Sequence, residues 1–83
     1  MEEKKLELAI NSMVGEVNLY SRYVEMAKIK NLPMIEQDYF SRILGIGKAI
    51  SYFGYTLEED GRRVDCGAGI EPMEYMHYKA IKR

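Results

Sequence analysis

Apolar residues return at alternating intervals of four and three along the first third of the chain: Leu6, Ile10, Met13, Val17, Tyr20, Val24 and Ala27. That spacing holds one stripe on one side of an α-helix and predicts a helix over residues 2–30, with no proline to interrupt it. Leu8, Val14, Leu19, Tyr23, Met26 and Ile29 fall beside the stripe. The apolar face is therefore wider than a two-stranded coiled coil needs and fits packing on more than one neighbour. Gly15 weakens this helix by about 1 kcal/mol relative to alanine, which a closely packed facing helix would make tolerable. The run KIKNLPMIEQ then supplies a stop and a start: lysines in a last turn, Asn31 for a left-handed cap, Pro33 for a first turn. Tyr39, Ile43, Ile46, Ile50 and Phe53 repeat the four-three series and predict a second helix over 33–53, widened by Phe40, Leu44 and Ala49. Joined by so short a connection, the two helices are expected to fold back as an antiparallel helical hairpin.

Beyond Phe53 the period changes to two. Tyr55 and Leu57 alternate before Asp60-Gly61, and Val64 and Cys66 after it, which reads as a small β-hairpin over 55–66 with Asp-Gly at its turn. Gly67 and Gly69 read as a loop, and Glu71-Pro72 as the start of a short helix over 72–82 whose Met73, Met76 and Ala80 form one apolar line. The expected fold is mainly α with a small β-hairpin (α+β), a single domain over 1–83.

Composition narrows the chemistry. Twelve basic and thirteen acidic residues give a net charge of −1, so no overall field draws the chain to nucleic acid or acidic membranes. Cys66 is the only cysteine, which rules out an internal disulfide or a thiolate metal cage and suits a reducing cytosol. MEEKKLELAI carries mixed charge without a long apolar run, and a soluble, cytoplasmic protein with no membrane segment is expected. Seven Tyr and six Met, against two Phe and no Trp, make an adaptable apolar set.

No residue constellation dictates a reaction. RILGIGKAIS has a Gly-Lys pair, but Arg42 stands where a phosphate loop needs its first glycine and Ala49 where it needs Ser or Thr, so Gly45 and Gly47 are read as points of close helix contact. Glu74-x-x-His77 has the helical spacing of two metal ligands, yet a carboxylate site needs further glutamates, and Glu16 and Glu25 lie off the main stripe. Cys66 and His77 lack a third orienting residue and an oxyanion loop. No catalytic residue, metal or cofactor is expected, and the chain is read as a non-enzyme.

The succession of a helical hairpin, a helix ending AISYFGY and an expected β-hairpin TLEEDGRRV resembles small accessory proteins of bacteriophages and mobile elements of Firmicutes, over roughly residues 1–65. The resemblance implies an accessory protein of a mobile element, a group that includes inhibitors of host defence such as anti-CRISPR proteins, working in the host cytoplasm. The expected function is a protein-interaction module that occludes a larger host protein, with Tyr75, Tyr78, Met76, Arg62 and Arg63 as contact residues, since Tyr, Met and Arg are enriched at interfaces. The alternative is a nucleic-acid-binding regulator that uses Arg62, Arg63, Lys79, Lys82 and Arg83. Finally, a first helix of about 40 Å exceeds the diameter of about 30 Å of a compact domain this size. Leu6, Ile10, Met13 and Val17 are accordingly expected to stay uncovered within one chain and to form a homodimer interface.

Overall fold

The computed structural model describes residues 2–66 and 72–83. Helices α1 (Glu2–Ile29) and α2 (Pro33–Ser51) are followed by strands β1 (Tyr55–Asp65) and β2 (Met73–Lys82), which pair antiparallel as a two-stranded ribbon. The architecture is α+β. Asn31 makes the reversal between the helices: it takes φ 55°, Leu32 N–H donates to the Ala27 carbonyl at 2.9 Å and Asn31 N–H to that of Lys28 at 3.1 Å. Those two bonds satisfy carbonyls that the end of α1 would otherwise leave open, and Pro33 sits where α2 needs no donor.

The core is one stripe from each helix closed by the ribbon. Ile10, Ile50 and Tyr55 are buried together, with Leu6, Met13, Val14, Ile46, Leu57 and Ala80 packed around them. Val17, Val24 and Ile43 form the second cluster, with Tyr20, Tyr39, Leu57 and Tyr78 against it. At Gly47 α2 packs close to β1, where an added Cβ would sit 3.3 Å from Leu57 Cδ1. Gly15 and Gly45 have nothing within 4 Å of that position, so neither marks a close helix contact.

Three expectations are corrected. Residues 73–82 are a strand, not a helix. MEYMHYKAIK satisfies the helical line at Met73, Met76 and Ala80 but also carries Tyr75, Tyr78 and Ile81, and β1 needs a partner for its backbone groups, so tertiary pairing overrides the local period. Asp60-Gly61 is not the tip of a hairpin within 55–66. It is a bulge in one continuous β1, lying between the pairs Glu59–Tyr78 and Arg62–Met76, with Gly61 at φ 78°. A glycine with positive φ serves either structure, which is why the dipeptide misleads. The expected loop residues Gly67 and Gly69, and Glu71, lie outside the described residues.

The third correction is the dimer strip. Ile10 and Val17 are only 1% and 0% exposed in the single chain, and Leu6 and Met13 pack against the same core. The physical reason follows from the first correction. Ten residues as a helix cover about 15 Å, but as a strand about 33 Å, so β2 runs along most of α1. The molecule measures 43 × 25 × 17 Å, its long axis matching the length of α1.

Candidate functional site

Asn18 and Ser21 fix how the ribbon meets the helices. Asn18 Nδ2 donates to the Tyr78 carbonyl at 3.1 Å while its Oδ1 accepts from Tyr78 N–H at 2.7 Å, and Ser21 Oγ donates to the Met76 carbonyl. A helix thus satisfies the free edge of β2 by side chains, one turn apart on α1. Neither residue is among the expected site residues. The available signal was Ser21 standing between Val17 and Val24 on the buried stripe, where a polar residue needs a partner.

The five expected contact residues do not form one surface. Alternation along the ribbon sets Arg62, Met76 and Tyr78 on the side facing the helices, and Arg63 and Tyr75 on the other. Arg62, Met76 and Tyr78 line a cleft of about 370 Å³ with Ser21, Phe40 and Glu59. Tyr78 packs on the second core cluster, and burial, with the nearby Glu59 carboxylate adding to it, pushes its phenol above the ordinary value. Tyr75 is half-buried under the Arg22 guanidinium, 5.8 Å from its ring centre, and Arg22 also reaches Asp65 at 3.5 Å.

Charge on the ribbon is interleaved. Asp60 Oδ2 lies 3.2 Å from Arg63 Nη2 and 3.3 Å from His77 Nδ1, a buried nitrogen that is not aligned for a hydrogen bond, and Asp60 Oδ1 lies 3.8 Å from Lys79 Nζ. Lys82 is 3.4 Å from Glu3. The expected nucleic-acid residues Arg63, Lys79 and Lys82 therefore each stand beside a carboxylate, with Arg62 and Arg83 exposed. The other constellations come apart as well. Glu74 and His77 lie three positions apart on a strand and point to opposite faces, which removes the helical ligand spacing. Gly45, Gly47 and Lys48 sit within α2, and Cys66 is exposed just past β1. Among the described residues no helix is long and apolar enough to cross a membrane.

A surface the sequence reading did not single out is the tip of the helical hairpin. Ile29 (71% exposed), Leu32 (41%), Met34 (84%) and Ile35 (46%) all present apolar side chains to solvent there. Beside them is an apolar hollow of about 260 Å³ lined by Tyr23, Met26, Leu32, Ile35 and Tyr39. Tyr39 is held by Tyr20 and Tyr23, with ring centres at 5.5 and 5.0 Å, and Arg42 lies 5.5 Å over its face. The chain matches no family model, no curated protein and no solved structure.

Proposed function

We propose that the protein is a non-enzymatic interaction module that seats the tip of its helical hairpin in a larger protein and blocks it, as an inhibitor of host defence of the anti-CRISPR kind. The observation that supports the docking step is the run of exposed Ile29, Leu32, Met34 and Ile35 beside a hollow lined in part by Tyr23 and Tyr39. Exposed apolar side chains gathered in this way favour a partner, because burying them removes their area from water. Lys30 lies beside the hollow, so a receiving pocket that is apolar with a carboxylate on its rim would complement the tip. The inhibitory step rests on the resemblance to accessory proteins of mobile elements.

The test is transformation of cells that carry an active CRISPR interference system with a targeted plasmid. Expression of the wild-type chain should restore transformants, and Met34→Asp with Ile35→Asp should remove that effect while the circular dichroism spectrum stays native. Transformation unchanged by the wild-type chain, or equally restored by the tip variant, overturns the proposal.

A further inference from the structure

We infer that the outer edge of β1 pairs antiparallel with the outer edge of β1 in a second copy of this chain, about a two-fold axis at the Asp60-Gly61 bulge. The result is a four-stranded sheet. The first support is the direction of the backbone groups. Asn18 and Ser21 bond to Tyr78 and Met76 on the side of β2 that faces away from β1. In an antiparallel ladder the groups of paired residues point either toward each other or both away. Glu59 and Arg62, the partners of Tyr78 and Met76, therefore turn their N–H and C=O outward, as do Leu57 opposite Ala80 and Val64 opposite Glu74. Among the described residues, these four make no hydrogen bond to any other element.

The bulge makes that edge self-complementary. In a regular strand Glu59 and Arg62, three apart, would face opposite edges. With the extra residue they occupy positions equivalent to i and i+2 and face the same way. A two-fold axis between them sets Glu59 against the partner's Arg62, Glu58 against the partner's Arg63, and Leu57 against the partner's Val64. Each pair is opposite in charge or apolar throughout. Glu58, Glu59 and Arg62 make no ion pair within 4 Å among the described residues, so their charges are free for such pairing. Charged edge residues and bulges also serve to keep strands apart. Here the two signs are arranged about one centre, which repels other registers and attracts this one.

The flank of α2 on the same side is apolar. Tyr39, Arg42, Gly45 and Ala49 lie toward α1, whereas Phe40 (47% exposed) and Leu44 (59%) lie toward β1, beside a groove of about 350 Å³ shared with Thr56 and Leu57. An axis perpendicular to the sheet brings the Phe40–Leu44 flanks of both copies to one face of the joined sheet. A two-stranded ribbon is marginal by itself, and four strands with helices on one face are not.

The experiment is equilibrium sedimentation of the full chain across micromolar concentrations, with circular dichroism of each variant to verify the fold. The wild-type chain should be dimeric. Glu59→Arg or Arg62→Glu alone sets like charges opposite at two symmetric places and should weaken the dimer about tenfold or more. The double variant Glu59→Arg, Arg62→Glu restores opposite signs and should recover the wild-type constant. Val64→Pro removes an outward N–H and the Val64 side chain set against the partner's Leu57, with no β1–β2 hydrogen bond lost, and should give a folded monomer. A wild-type mass of one chain overturns the inference, as does a dimer indifferent to both single reversals and to Val64→Pro, or one that the double variant fails to recover. These readouts are independent of the hairpin tip, so they separate from the failure or success of the inhibitory reading.

Discussion

Gly61 shows how a single residue can be read correctly and placed wrongly. Its φ of 78° lies in the left-handed region, where a side chain with a branched Cβ meets the following carbonyl. Gly61→Val should lower stability by about 1–2 kcal/mol or more in urea unfolding. The cost is the same for a turn and for a bulge, so the sequence shows the strain and not its setting. Asn31 is the contrasting case, since a left-handed residue between two helical periods has one evident use and the structure puts it there. Tyr78 adds a dependence on pH. Burial raises its folded pKa above the unfolded value of about 10. The folded state therefore keeps its proton longer, so this contribution is intact below the unfolded pKa and declines as pH rises through the folded one. Thermal melts of Tyr78→Phe should fall less steeply than wild type over that alkaline range.

Among the elements, the helices were legible because four-three spacing over many turns has no competing explanation. β2 was not. Ten residues that fit a helical line at three positions and carry strand-favouring Tyr75, Tyr78 and Ile81 at three others show no decisive period, and their state is set by β1, a partner with no local trace in them. The same blindness hid Asn18, a polar residue on a helix that the sequence leaves free to face water. In the structure it is the clasp between α1 and β2, making two bonds to the Tyr78 backbone. Asn18→Ala should cost about 1–3 kcal/mol, the sum of two net hydrogen bonds, with more of it if the orphaned Tyr78 groups stay dry. Chemical denaturation reads this directly, and a loss below a few tenths of a kcal/mol would mean that water replaces the side chain without penalty.

For the molecule as a whole, the expected terminal helix leads to an expected dimer surface that the strand instead covers. A short terminal helix would have left one end of α1 bare, and the expected dimer through Leu6, Ile10, Met13 and Val17 was the physical remedy. Because the ribbon covers that strip, Ile10→Ala should behave as a core truncation, lowering stability by about 2–5 kcal/mol and leaving the sedimentation mass as it is in the wild type. A change of mass without loss of stability would return the interface to α1. The candidate contact residues were less legible than the fold, since the tyrosines and methionines that favour interfaces are the same ones that fill a small core, and only position separates Tyr78 against Ile43 from Met34 in solvent.

The clasp between α1 and β2 also sets a clock. Asn18 meets Tyr78 across 60 positions of sequence and Ser21 meets Met76 across 55, whereas α1 and α2 are joined by three residues. Closing a long loop costs entropy before its contacts form, so the helical hairpin is expected to assemble in the folding transition state and the ribbon to dock on α1 after it. Interactions made after the barrier act on the escape rate alone. In denaturant-jump kinetics Asn18→Ala should then speed unfolding and leave refolding almost unchanged. How long each molecule stays shut would be governed by two side chains holding one strand edge, although the helices contain most of its residues.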